Sequence, residues 1–181
     1  MFLDLGCGKK EFRQHSAEIE FNVLVKDVLR IDNLGGDDID VSADIIDFLF
    51  KSRGNSYEGA LLSHVIEHFT VKDQINILEL CHDVLKNGSK VIIFYPHFSS
   101  AIAKTHLTHN KLIGYNTFDN FLKDSQEKYS VCIFDIEKKI IFGRAFKFLE
   151  GFFNNHPEFY EQYCSSFIPA REIKFVMVIK K

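Results

Sequence analysis

Met1-Phe2-Leu3-Asp4-Leu5-Gly6-Cys7-Gly8 opens the chain, and its reading decides the fold. An apolar run broken by Asp4 and followed by Gly-x-Gly reads as a short buried strand, Phe2–Leu5, entering a glycine turn. Glycine is required where backbone takes a positive φ or must approach a ligand with no Cβ in the way. A strand, such a turn and a following helix gather backbone N–H groups around a nucleotide-like ligand. By itself Gly-x-Gly specifies little, and the pattern downstream gives it meaning.

Working outward, the segment from Glu11 to about Val25 is ambiguous, with a first half that reads as helix. Val28–Asp32 reads as a second strand, Leu34-Gly35-Gly36-Asp37-Asp38 as a turn, Ile39–Val41 as a short third strand and Ile45–Lys51 as a helix. A loop over 52–56 precedes a fourth strand, Gly59–Ser63. Thr70–Lys86 is the clearest helix: Thr70 and Asp73 form a capping pair, and Ile75, Leu78, Val84 and Leu85 supply an apolar face. Gly88 is placed to stop it as a left-handed cap. The fifth strand, Lys90–Tyr95, ends at Pro96, which cannot donate a ladder hydrogen bond.

Beyond it lie an excursion over 97–116, a helix Thr117–Lys128, strand-like runs Val131–Ile136 and Lys139–Phe142, a helical stretch Ala145–Tyr163 and a last strand Ile173–Ile179. Strands alternating with helices predict an α/β, Rossmann-like, doubly wound and mostly parallel sheet. Its last strand is expected to be antiparallel, its helices to cover both faces, and its ligands to sit at the carboxyl ends of the strands.

A length of 181 residues fits one domain with a substantial core, and a hydrophobic share of 46% makes it globular. A net charge of −3 argues against a nucleic-acid surface, and no stretch approaches a membrane span. Nineteen Phe and no Trp read first as core filling. Cys7, Cys81, Cys132 and Cys164 lack C-x-x-C spacing, so they suggest neither a zinc site nor a disulfide framework. Free thiols and no signal peptide lead us to expect a cytoplasmic protein.

The stretch Phe2–Phe98 resembles the class I S-adenosylmethionine-dependent methyltransferases. Leu3–Gly8 looks like their first motif, Arg30-Ile31-Asp32 like the end of the second strand, and Ser42-Ala43-Asp44-Ile45 like the acidic position after the third. Ala60–Phe69 resembles the fourth strand with its "vlEH" ending, and Glu79–Ser89 the following helix and turn. Each motif is short; five in the right order carry the resemblance. One departure is Lys10, where the family has a third glycine.

The resemblance implies S-adenosyl-L-methionine as cofactor, with Asp4, Gly6, Cys7 and Gly8 in the loop at its amino-acid end. Asp32 would hold the ribose hydroxyls, although spacing from Gly8 alone favours Asp27. Asp44 would contact the adenine, or cap the helix Ile45–Lys51, or both. Ser63 and His64 would flank the methionine part. The first half, 1–96, would then bind cofactor, and 97–181 the acceptor.

Methyl transfer is an in-line displacement, so the protein must align an acceptor and exclude water. His97, His106 and His109 are the candidate bases for a hydroxyl acceptor, each with a solvent-exposed loop histidine as its bland alternative. His106-Leu107-Thr108-His109 and the later Thr117-Phe118-Asp119-Asn120-Phe121 resemble a subgroup pattern linked to surface-polysaccharide and other small-molecule modification. A sugar or sugar-linked hydroxyl is therefore the expected acceptor, with no nucleic acid or membrane partner and no metal. No helix precedes the first strand, so the site is expected to be open or completed by a second subunit as a homodimer.

Two rivals stand beside this reading. One is a cofactor-binding partner subunit without turnover. The other follows from His64-Val65-Ile66-Glu67-His68, an H-x-x-E-H zinc peptidase signature. That chemistry needs both imidazoles on one helix face, and the buried run Gly59–Ser63 leading into the motif predicts strand instead.

Overall fold

Residues 1–9, 15–109, 111–121 and 130–181 are described by a computed structural model of the chain. Alternation of the two periodicities yields β1 (Phe2–Leu5), α1 (Ala17–Phe21), β2 (Val28–Asp32), β3 (Val41–Ser42), α2 (Ile45–Lys51) and β4 (Tyr57–Ser63). Next come α3 (Val71–Val84), β5 (Leu85–Pro96), α4 (Ala101–Thr105), β6 (Ile133–Phe142), α5 (Glu150–Asn155), α6 (Pro157–Phe159) and β7 (Ala170–Lys180). The sheet order is β3-β2-β1-β4-β5-β7-β6. The first five strands run parallel, and β7 enters antiparallel between β5 and β6. This is the expected mostly parallel α/β sheet.

Period-two alternation divides the strand side chains between two faces. Leu3, Leu5, Leu62, Val91 and Ile93 join Ile45, Leu49, Ile77, Leu78 and Cys81 of α2 and α3 on one face. Phe2, Leu61, Ile92 and Phe94 meet Ala17 and Phe21 of α1 on the other. A third cluster, including Ile140, Phe142, Phe153 and Tyr160, closes the far end under α5. Helices thus cover both faces. Among the described residues, no helix is long and apolar enough to cross a membrane.

Thr70 caps α3 as expected: its Oγ1 accepts the Asp73 N–H at 3.2 Å and donates to the Asp73 carboxylate at 2.7 Å. Gly88 does not end that helix. Leu85, fully buried, turns extended directly after Val84 and pairs with Tyr57 of β4, so the sheet takes over where another turn was expected. The ladder resumes at Lys90 opposite Gly59, and Gly88 takes φ +80° in the irregular stretch between.

Further boundaries differ from the sequence reading. The third strand is Val41–Ser42 rather than Ile39–Val41. The runs Val131–Ile136 and Lys139–Phe142 form one edge strand, β6, whose exposed Asp135, Glu137 and Lys139 protect the edge with charge. The helical stretch 145–163 is broken. His156 (φ −135°, ψ 58°) leaves helical geometry because the residue before a proline is sterically barred from it. Past Pro157, Ser165 N–H reaches Tyr160 O at 2.9 Å, a single wide π turn. Of the helix expected over Thr117–Lys128, Thr117 and Phe118 lie in a turn and Asp119–Phe121 form a short 3₁₀ turn, and residues 122–128 lie outside the described residues. Lys10 and part of the early helical segment also lie outside them.

Candidate active site

Parallel β1, β2 and β4 deliver their carboxyl ends to one edge of the sheet. The N–H groups of Gly6 and Cys7 both donate to Ile31 O, at 2.8 and 3.3 Å, fastening the glycine turn to β2. Gly6 adopts φ +67°, and a Cβ added there would lie 2.2 Å from Val65 Cγ2. Gly8 adopts φ +59°, yet a Cβ there would meet nothing within 4 Å. The first glycine serves packing, and the second borders open space.

Asp32, almost fully buried, anchors this edge. Its Oδ2 accepts the Gly8 N–H at 2.8 Å and its Oδ1 the Leu34 N–H at 2.9 Å. A carboxylate has about four lone-pair sites, so capacity remains on both oxygens. Asp32 lines a cavity of about 250 Å³ together with Gly6, Asn33, Asp44, Val65 and His68. Asp27 sits in the turn before β2, at the opposite end of the strand. Asp44 also lines the cavity while its Oδ1 accepts the Ile46 and Asp47 N–H groups at 2.8 and 3.2 Å, capping α2. Asp4 is buried and its Oδ2 accepts the Ala17 N–H at 3.3 Å, ordering the approach to α1; Cys7, between the two glycines of the turn, is also buried.

At the end of β4, Ser63 is half-buried and His64 takes φ +53°, an uncommon conformation for a residue with a side chain. Its N–H donates to Phe94 O at 3.0 Å, which holds the strained residue in place. His64 Nε2 lies 2.8 Å from Glu172 Oε2 of β7, and its Nδ1 lies 3.5 Å from Glu67 Oε1. His15 stacks on Phe94 with centroids 3.5 Å apart, its Nε2 3.3 Å from Glu172 Oε1.

Burial pulls the His64 imidazole pKa down, but bonds and charges from Glu172 and Glu67 outweigh it and raise the value to about 9. For Glu172, burial pushes upward and is outweighed by His15 and His64, leaving about 2. A raised His64 stabilises fully below about pH 6.5 and loses that share as pH climbs through 9. A depressed Glu172 stabilises fully above about 4.5 and loses its share as pH falls through 2. The full His64 shift corresponds to at most about 3 kcal/mol, shared with its partner rather than added to it. Scanning calorimetry is therefore expected to show Tm falling by several degrees from pH 6.5 to 9.5. The Glu172→Gln variant should give a markedly flatter profile; an equally steep one would refute the pairing.

The chain then makes a 3₁₀ turn, Ile66–His68. His64 and His68 consequently share no helix face, as the strand reading of Gly59–Ser63 predicted. His68 instead meets His106 and His109 from the segment after α4. Ring centroids are 5.5 Å apart for His68–His106, 5.1 Å for His68–His109 and 4.7 Å for the stacked His106–His109. Burial holds the His109 pKa below the usual imidazole value; Glu67 opposes this, and the His68 and His106 charges reinforce it. These rings line a second cavity, of about 190 Å³, with His64, Glu67 and Arg171. His68 borders both cavities and forms a shared wall.

His97 does not reach this mouth. It is fully buried, its Nδ1 accepts the Ser99 N–H at 3.1 Å, and its Nε2 lies 3.2 Å from Glu161 Oε1. Both ring nitrogens are engaged in holding the segment after β5 against the C-terminal helices. Four residues were absent from the sequence's candidate list: His15, Glu172 and, within the quoted "vlEH" segment, Glu67 and His68.

No protein-family model matches the chain, and no curated protein does. Solved structures do. A SAM-dependent methyltransferase from Archaeoglobus fulgidus superposes with a TM-score of 0.67 at 18% identity, covering 98% of this chain and 85% of its own. This chain has the class I methyltransferase fold. The Haloferax volcanii complex of the Trm112 methyltransferase activator with a methyltransferase partner gives 0.60 at 14% identity over 99% and 82%. The plantazolicin methyltransferase BamL, solved with a triazolic desmethylPZN analog and SAH, gives 0.56 at 14% over 99% and 77%.

Proposed function

We propose that the chain is an S-adenosylmethionine-dependent methyltransferase acting on a small-molecule hydroxyl, with a sugar or sugar-linked hydroxyl as the preferred class. The carrying observation is the pair of cavities divided by His68. The residues present fit the cofactor: Asp32 keeps carboxylate lone pairs for two ribose hydroxyls, and the Gly8 position leaves space for close approach. When bound, S-adenosylmethionine supplies a sulfonium methyl for in-line transfer.

Around it, the 1–96 half holds the cofactor through Asp32, Asp44 and the Gly6–Gly8 turn, and the 97–181 half presents the acceptor. His106 and His109 line the second cavity and face the acceptor hydroxyl there. His64, held protonated by its two carboxylates, donates hydrogen bonds rather than accepting a proton. The volume of the second cavity, about 190 Å³, favours a small acceptor group.

Calorimetric titration of the folded protein with S-adenosylhomocysteine, followed by transfer of labelled methyl to a panel of sugars and small alcohols, tests the reading. Micromolar binding and label transfer are expected. No binding would overturn it. Binding without transfer to any acceptor would favour a partner subunit, a role for which the Trm112-bound structure provides a nearby architecture.

A further inference from the structure

From the convergence of His68, His106 and His109 beside a buried carboxylate, we infer that the acceptor mouth holds a divalent transition-metal ion. One ring nitrogen of each histidine lies within 4.8 Å of the other two. Zinc–nitrogen bonds of about 2.0–2.1 Å in a tetrahedron bring such nitrogens to roughly 3.3 Å from one another. The closure required is within reach of rotation about exposed side-chain bonds, because His68 and His106 are exposed and His109 is half-buried.

The surroundings are built for it. Thr108 Oγ1 lies 2.6 Å from His68 Nδ1 and 2.9 Å from His106 Nδ1. A hydroxyl shared by both Nδ1 atoms holds the two rings in a fixed orientation toward His109. An independent observation points the same way. Glu67 is 1% exposed and lines the same cavity, and its Oε2 has no hydrogen-bond partner among the described residues. A buried carboxylate oxygen left unsatisfied is costly. A water on the metal's fourth position would satisfy it and be oriented by it.

Imidazole ligands select zinc, cobalt, nickel or copper over magnesium or calcium. Three protein ligands with one open position are the arrangement of a metal that binds substrate or water rather than one that only braces a fold. The second histidine group, His15, His64 and Glu172, is already closed on itself as an ion pair and is not assigned an ion. The inference rests on the proposed function only in making the open position the seat of the acceptor oxygen. Ion binding stands apart from it.

The test uses tag-free full-length protein, stripped with a chelator and titrated with Co²⁺ and Zn²⁺. One ion per chain is expected, with visible cobalt bands of four- or five-coordination. His106→Ala and His109→Ala should each weaken binding about 100-fold or more, and Thr108→Val about 10-fold or more, with unchanged circular dichroism. His156→Ala, an exposed histidine outside the cluster, should bind as wild type. Absence of stoichiometric binding, or binding untouched in both histidine variants, overturns the inference. A parallel S-adenosylhomocysteine titration separates the two readings: metal bound without cofactor sinks only the function, and cofactor bound without metal sinks only the ion site.

Discussion

Gly6→Ala is expected to lower Tm by roughly 5–20 °C or to prevent folding, whereas Gly8→Ala should cost only a few degrees. Both positions take left-handed φ, +67° and +59°, so each alanine bears about 1–2 kcal/mol of backbone strain. Only Gly6 adds a collision, with Val65 Cγ2 at 2.2 Å and Val65 Cβ at 2.8 Å. Rotation about χ1 moves the valine methyls but not the Cβ at 2.8 Å, so overpacking contributes about 1–3 kcal/mol more. Val65→Ala in the Gly6→Ala background should recover the part of the collision due to the valine methyls and leave the Cβ contact and the backbone part. Gly8→Ala, by contrast, should fold and lose S-adenosylhomocysteine affinity by about 10-fold or more, because its new methyl enters open space at the turn. Equal melting of the two single variants would overturn this division of labour.

Asp32→Asn is expected to weaken S-adenosylhomocysteine binding by at least about 100-fold, while Asp27→Ala stays within about twofold of wild type. Hydrogen bonds to a charged group are worth about 1.5–3 kcal/mol each, and two ribose hydroxyls would draw on the same carboxylate. Asparagine is chosen over alanine because Asp32 also accepts the Gly8 and Leu34 N–H groups, and an amide oxygen retains one of those bonds. Thermal melts run beside the titrations separate lost affinity from a loosened turn. Loss of binding in Asp27→Ala with Asp32→Asn intact would reverse the assignment.

The first half, 1–96, was legible because its signals are local. Strand 28–32, helix 45–51 and the Thr70–Asp73 cap all follow from neighbouring residues, and the structure has each where the sequence put it. Spacing alone preferred Asp27 to Asp32; strand direction, a property of the assembled sheet, separates their positions. Gly88 misled because a helix cap and an irregular strand position both welcome a left-handed glycine, and only the pairing of Leu85 with Tyr57 tells them apart. The later half was less legible. Glu172 carries no local signature, since its meaning comes from His64, a residue brought to it by the β5–β7 ladder. His97 looked like its loop neighbours in sequence, and only burial distinguishes it.

The insertion of β7 between β5 and β6 has a consequence for synthesis. As the nascent chain emerges, β5 presents an open edge and β6 has no neighbour to join until β7 arrives to bridge them. Unpaired edges of apolar strands are where chains aggregate. The same late strand carries Glu172, so the mouth acquires its charge balance at the moment the hazard is removed. A ribosome stalled before Ala170 would expose both the sticky edge and an unfinished site, which makes this interval the one in which a chaperone has most to protect.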